Sequence, residues 1–368
     1  MAEESDNQLK FLFFGELPPS VVHGVSISNK INTDILSKIG ELHIIEEQWS
    51  LRDHERFAFR KIRSTFQSIG KIWRSTRKES PTLFYSVLYV SLLGVFKNLL
   101  SIIAVKIGNR NTHLLLHVHR SDLKEYISGN FIYRLFIRFF NRCGVTFIVL
   151  SETQKEEIKK YLNKIEVLYN AIDESEIYPL RITRSDSNIR LLYISNYIRE
   201  KGILDLLNAI KTFKIDRYNF QLDCYGGFTD VITKAEINKL KKGYDHININ
   251  KPVFGKEKNK VLNSADIVIL PSHNEGLPLV LLEALRLKKP FIVTKVGYIS
   301  EILGEDYPLY CKVKNIESIR NAIRESLRLS ENNADKFKSY LNKIYQKINY
   351  EQHRNKLEKI VHETLTIS

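Results

Sequence analysis

The 368-residue chain has three cysteines, Cys143, Cys224 and Cys311, far apart and with no C-x-x-C among them. A disulfide framework and a cysteine-built zinc site are excluded as organising devices, and a reducing compartment is expected. No G-x-G-x-x-G follows the first predicted strand, which argues against a nicotinamide dehydrogenase. The opening MAEESDNQLK is polar and partly acidic, unlike a secretory signal. Long uninterrupted apolar runs are scarce. Residues 83–105 come nearest, but Lys97 and Asn98 interrupt them, and the run reads as a buried or membrane-facing helix rather than a span.

Acid is also in deficit: 56 Lys and Arg stand against 42 Asp and Glu, a formal net charge of +14. Such an excess points to a polyanionic partner. Residues 52–110 hold 12 Lys or Arg and 3 Asp or Glu, interleaved with Phe57, Phe59, Phe66 and Trp73. A basic amphipathic surface of this kind suits an anionic membrane leaflet, and no nucleic-acid motif accompanies it. The expected location is cytoplasmic, peripheral on the inner face of the membrane.

What is present is a rhythm. Short apolar runs alternate with helix-length segments: KFLFFG (10–15), LHIIE (42–46), HLLLHVH (113–119), TFIVLS (146–151) and KIEVLYN (164–170), then IRLLYIS (189–195), NFQLDCYG (219–226), HININ (246–250), DIVILPS (266–272) and PFIVT (290–294). Both faces of each run are largely apolar, as in strands covered by helices on two sides. The alternation predicts βαβ units in parallel sheets. The polar, aperiodic stretch 170–188, with Pro179, reads as a linker. The expected architecture is two doubly wound α/β domains, 1–175 and 176–348, with the ligand in a cleft at the carboxyl ends of the strands.

The densest chemistry lies in PSHNEGLPLVLLEALRLKKPFIVTKVG, residues 271–297. A buried strand ends at Leu270, a polar turn follows, and Pro278 stands where a helix begins. Glu275 precedes that helix and Glu283 lies within it, an E-x7-E spacing. Free N–H groups at a helix start suit a diphosphate, and carboxylates beside it can accept hydrogen bonds from sugar hydroxyls. Singly, each Glu would be an ordinary dipole-complementing residue worth about 0.3–1 kcal/mol. Together with Gly276, Leu277, Pro278 and the flanking strands, they suggest a nucleotide-sugar site.

At these residues the chain resembles the retaining glycosyltransferases of family 4, of the bacterial surface-polysaccharide type, whose signature E-G-x-P-x-x-x-L-E-A reads here Glu275, Gly276, Pro278, Leu282, Glu283, Ala284. YISNYIREKGILDLLNAI (193–210), GELPPSVVHGVSISN (15–29), VLYNAID (167–173) and TKVGYISEIL (294–303) extend the resemblance over almost the whole chain. It implies the GT-B fold: two Rossmann-like domains facing across a cleft, the C-terminal helix (349–365) packing back on the first. It implies transfer of a hexosyl group from a nucleoside-diphosphate sugar, UDP-sugar favoured, to a glycan or lipid-diphosphate-linked acceptor.

The resemblance also implies roles. Glu275 binds donor-sugar hydroxyls, Glu283 the ribose, and Lys201 neutralises the diphosphate. Gly276, Leu277 and Pro278 line the donor site, and Val253 to Lys256 lie near the base. The family's Arg five residues before that lysine is Asn196 here, and Arg199 is the candidate replacement. Tyr298 stands where many members carry a second glycine. A family histidine facing the donor sugar falls at His119, with His117 the second choice; His117 and His119 at i, i+2 in a strand share a face. Gly24, beside His23, lets backbone approach a phosphate or sugar, and Gly226 with Gly227 shapes the nucleotide-side loop. No D-x-D and no third ligand beside the H-x-H pair occur, so no metal and no cofactor are expected. A nucleotide-sugar epimerase and a non-catalytic membrane-associated subunit of a glycan assembly complex are the alternatives.

Overall fold

The computed structural model describes residues 9–47, 57–182, 188–214 and 218–366; side chains of residues 57–62 are outside the description. The expectations for residues 52–56, for the side chains of Phe57 and Phe59, and for linker residues 183–187 therefore lie outside the described residues. The chain divides into two compact units, residues 1–170 with 351–368, and residues 171–350.

In the first unit the strands are β1 (Lys10–Gly15), β2 (Glu41–Glu46), β3 (Leu83–Val87), β4 (His113–His117), β5 (Val145–Val149) and β6 (Ile165–Val167). The helices among them are α1 (Gly24–Ile39), α2 (Phe57–Glu79), α3 (Leu92–Gly108), α4 (Leu123–Gly129), α5 (Phe131–Arg142) and α6 (Glu152–Ile158). The second unit holds β7 (Ile189–Ile194), β8 (Phe220–Tyr225), β9 (Ile247–Asn250), β10 (Ile267–Leu270), β11 (Phe291–Thr294) and β12 (Tyr310–Cys311). Its helices are α7 (Ile203–Ile210), α8 (Val231–Lys241), α9 (Gly255–Ser264), α10 (Leu279–Arg286), α11 (Ile299–Leu303), α12 (Ile316–Asn332) and α13 (Ala334–Gln346). All but the first residue of α14 (Tyr350–Thr366) belongs with the first unit.

Each unit is built on a six-stranded sheet, ordered β2-β1-β3-β4-β5-β6 and β12-β11-β10-β7-β8-β9. Every pairing is parallel. Leu12 pairs in register with Phe84, Phe84 with Leu114 and Leu115 with Thr146. Leu12, Phe14, Phe84, Leu114, Leu116 and Phe147 are all buried in one cluster. Burying such a side chain contributes roughly 1.5–3 kcal/mol, which is why near-continuous apolar runs settle as central strands.

One expectation is corrected. Residues 83–105 are not one helix: Leu83–Val87 form β3, and the helix begins only at Leu92, after Ser91 accepts a hydrogen bond from Gly94 N. Both pieces are buried and apolar, so periodicity alone could not separate them. Lys97 and Asn98 point inward. Lys97 pairs with Glu47, and Asn98 holds the strand end through Val87 O and Tyr89 N. Strand β12 also escaped the sequence reading. Among the described residues no helix is long and apolar enough to cross a membrane. The three cysteines are free thiols.

Candidate active site

In an open parallel sheet, ligands gather where strand order reverses, outside the carboxyl ends of the strands. In the second unit that point lies between β7 and β10, neighbours although distant in sequence. The loop after β7 ends in a 3-10 turn, Arg199–Lys201, closed by Gly202 at φ +70°, ψ 15°. Glycine is required twice over there: the backbone is left-handed, and a Cβ would lie 2.0 Å from Pro271 O. The loop after β10 carries Ser272 to Pro278 into α10. It is pinned by Gly297, at φ +58°, whose Cβ would lie 1.9 Å from Glu275 O, and by Tyr298 N donating to Gly276 O at 3.2 Å. His273 N donates to Glu200 O at 2.7 Å, and its ring stands 2.6 Å from Asp205 on α7, tying the two loops together.

This close approach sets Lys201 Nζ 2.7 Å from Glu275 Oε1. The same oxygen accepts from Ser272 Oγ at 2.9 Å. The Glu275 side chain is 7% exposed and that of Lys201 26%, so the carboxylate is enclosed while the ammonium keeps an open flank. Glu283, one turn into α10, is buried with Lys258 Nζ 2.6 Å from Oε1. Its other oxygen, Oε2, is buried with no hydrogen-bond partner among the described residues. A buried acceptor left unpaired costs on the order of 1–3 kcal/mol, so this oxygen is suited to receive a donor from a ligand. Neither Gly202 at the start of α7 nor Pro278 at the start of α10 supplies a side-chain cap, and in the first turn of α10 Leu281 N donates to Pro278 O at 3.1 Å.

The remaining second-unit candidates divide. Gly276, Leu277 and Pro278 lie in the β10–α10 loop, Leu277 buried and Pro278 as the helix cap. Gly226 is needed for contact with the β7 loop, since a Cβ would lie 2.0 Å from Ser195 O. Asn196 has an exposed side chain, and its carbonyl accepts from Tyr193 Oη at 3.1 Å. Arg199 pairs with Glu236 on α8, not with the Lys201–Glu275 pair. Lys258, Ser272, His273 and Asp205 were not foreseen. Only Ser272 left a sequence signal, a hydroxyl three residues before Glu275.

In the first unit, His117 ends β4 and His119 follows it. Their rings lie side by side with centroids 4.0 Å apart and planes tilted by 35°, as the shared-face argument expects. His117 is fully buried, with Nδ1 2.8 Å from Tyr85 Oη. Asn32 Nδ2 lies 2.7 Å from that hydroxyl, and Asn32 Oδ1 lies 2.7 Å from His353 Nε2 on α14. His353 Nδ1 meets Tyr169 O at 2.7 Å. Burial holds His117 well below the ordinary histidine range; it also pushes His119 down to about 3, helped by nearby His23, and His353 down to about 4. Burial thus disfavours the charged form of all three rings. The Nε2 atoms of His117 and His119 are buried without a partner among the described residues. Gly24 opens α1 behind His23, which caps that helix by accepting from Ser26 N and whose Nε2 lies 2.8 Å from Glu16. A Cβ on Gly24 would meet nothing within 4 Å. Among the described residues no three His, Cys, Asp or Glu side chains gather as a metal site.

The loops after β7 and β10, with their paired carboxylates, fall within residues 180–343, which match the family model described as glycosyl transferases group 1. This part of the chain is similar to the group 1 glycosyl transferases. Similar proteins include the O-antigen chain mannosyltransferase RfbU of Salmonella typhimurium, 24% identical over 300 residues, covering 72% of this chain and 80% of that protein. The N-acetyl-alpha-D-glucosaminyl L-malate synthase of Bacillus anthracis is 26% identical over 232 residues, 60% of this chain and 59% of that protein. The chain spans 50% to 59% of the length of the first curated relatives it matches. Among solved structures, the sucrose-phosphate synthase of Thermosynechococcus elongatus superposes with TM-score 0.79 at 14% identity, covering 98% of this chain and all of that one. HepE of Anabaena in complex with UDP-glucose gives 0.72 at 13% identity, covering 97% and 100%. These likenesses give the fold, GT-B, as the sequence resemblance implied.

Proposed function

We propose that the protein is a retaining glycosyltransferase. It moves a hexosyl group from a nucleoside-diphosphate sugar, a UDP-sugar by preference, to a hydroxyl of a glycan or lipid-diphosphate-linked acceptor in polysaccharide synthesis, at the cytoplasmic membrane face and without a metal. The observation that carries this reading is the Lys201–Glu275 contact of 2.7 Å at the strand-order reversal. It puts a cation and an enclosed carboxylate side by side, with the unpaired Glu283 Oε2 on the following helix. The UDP preference draws on HepE of Anabaena, solved with UDP and with UDP-glucose.

In this reading Lys201 and the first-turn N–H groups of α7 and α10 hold the diphosphate. Glu283 Oε2 accepts from a ribose hydroxyl. Glu275 bonds the sugar hydroxyls. The bond from the anomeric carbon to the diphosphate oxygen breaks, its electron pair leaving with the diphosphate. The acceptor oxygen bonds the anomeric carbon on the same face, and its proton passes to the departing diphosphate oxygen. Lys201 balances charge that grows as the bond breaks, the kind of preplaced electrostatic stabilisation that lowers a barrier most. Glu275 orients the sugar and takes no proton.

The test is nucleoside-diphosphate release from UDP-, GDP- and ADP-sugars without added metal, with and without a membrane lipid extract. Release from one donor, raised by the extract and reduced on the order of 10²-fold or more by Glu275→Ala, is expected. Absence of both release and nucleotide binding would overturn the enzyme reading in favour of a non-catalytic subunit.

A further inference from the structure

Helices α2, α3 and α5 of the first unit pack side by side, α3 touching both of the others. The middle helix breaks the usual rule of a polar outer face. Leu93, Phe96, Leu100, Ile103 and Ile107 recur at helical spacing on its solvent side, within about 100° of arc. Leu93 is 76% exposed and Ile107 70%, and none of the five is buried. Isolated exposed apolar residues are ordinary, but a row along a whole helix marks an interaction surface.

The flanks are of one charge. The sequence places seven Lys or Arg on α2, with Glu79 as its lone acid; α5 carries three Arg, and neither α3 nor α5 has an acid. Lys71 and Arg74 on α2 and Arg134, Arg138 and Arg142 on α5 are exposed. Phe131 and Leu135 stand exposed beside Arg134, so α5 repeats the mixture of apolar and cationic groups. An apolar row between two cationic borders complements the headgroup and acyl boundary of an anionic bilayer. A second copy of the chain on a two-fold axis would set like-charged flanks against each other, at a cost.

We propose that the α2–α3–α5 face is a docking surface for a bilayer of anionic lipid. The α3 row lies in the interface, and the α2 and α5 cations meet headgroup phosphates. The inference deepens the reading of a membrane-linked acceptor, on which it rests for its purpose. It extends the surface beyond residues 52–110 to α5, and it makes α3, not the basic helix α2, the embedded element.

The experiment is co-sedimentation of the full chain with vesicles of phosphatidylcholine alone or mixed with phosphatidylglycerol, at low and high salt, with neither donor nor acceptor present. Binding to the mixed vesicles alone, weakened by salt, is expected. Arg134→Gln with Arg138→Gln should lower that affinity about thirtyfold, from the attraction a juxtamembrane cation contributes. Leu93→Ser with Ile107→Ser should abolish sedimentation while the thermal midpoint holds. Equal binding to both vesicle types, or no binding by the wild-type chain, overturns the proposal. So does a dimer in light scattering that Leu93→Ser dissociates. Because the assay contains no nucleotide sugar, its failure leaves nucleoside-diphosphate release standing, and the converse holds.

Discussion

Two enclosed lysine–glutamate pairs occupy comparable places, each beside the carboxyl end of a parallel sheet, and they are finished differently. In the first unit Lys97 and Glu47 are 4% and 6% exposed. The ammonium straddles both carboxylate oxygens at 2.5 and 2.6 Å. Tyr89 Oη donates to Oε2 at 2.8 Å, and the Tyr89 ring centroid lies 3.6 Å from Nζ. Burial pulls this lysine below its ordinary pKa against the opposing pull of Glu47. In the second unit Lys201 touches one oxygen of Glu275 and keeps an open flank. The first pair is closed by protein and can only hold the fold. The second leaves a cation with room for another anion, which separates a binding group from a structural one more surely than residue type does.

Four experiments would break or sharpen that contrast. Glu47→Ala strands a buried ammonium and should cost about 3–5 kcal/mol in urea unfolding, with turnover per folded molecule unchanged. Lys201→Ala should cost less stability, because water can reach the gap, but reduce turnover on the order of 10²–10³-fold. Equal stability losses from the two variants would dissolve the distinction.

The buried histidine chain of the first unit gives the third. His353 falls from an unfolded pKa near ~6.5 to about 4 in the fold. Above pH ~6.5 neither state is protonated and the contribution is complete. Between ~6.5 and 4 the unfolded chain takes up the proton first, so stability falls, by roughly 3 kcal/mol at most, and then levels off. His117 and His119 act with the same sign. His353→Gln should flatten the urea-midpoint profile by one proton's worth; an unaltered slope would mean that His353 is protonated in the fold. The fourth sets the smallest effect, at one glycine, against a second glycine that has no room for a side chain. Gly24→Ala, facing open space, should shift the midpoint within about 0.5 kcal/mol. Gly202→Ala should fold poorly or lose donor binding, because its Cβ has no place beside Pro271.

Much of the second unit could be read directly from residue order. Its strands are short apolar runs closed by turn residues, and its motif packs two carboxylates, a helix-starting proline and a tight glycine turn into one stretch. The first unit was less legible for a physical reason. A strand and a helix that are both apolar merge into one run, so β3 vanished into 83–105. A buried lysine looks like an interruption until its partner, fifty positions away, is seen. His353 lies in NYEQHRNK, where nothing distinguishes it from a solvated helix residue. Lys258 likewise gives no sign that it will meet Glu283. Long-range polar partners leave no local pattern, whereas burial and turns do.

The return of α14 to the first unit has a consequence in time. Asn32 and its partner His353 are 321 positions apart, and the whole second unit is synthesised between them. At 5–20 residues per second, the ribosome needs roughly 16 to 64 s to deliver the second after the first. Through that interval the opening sheet must persist on the nascent chain with its amide and histidine cluster unfinished. A stop codon shortly before α14 would therefore injure the half of the protein that was made first.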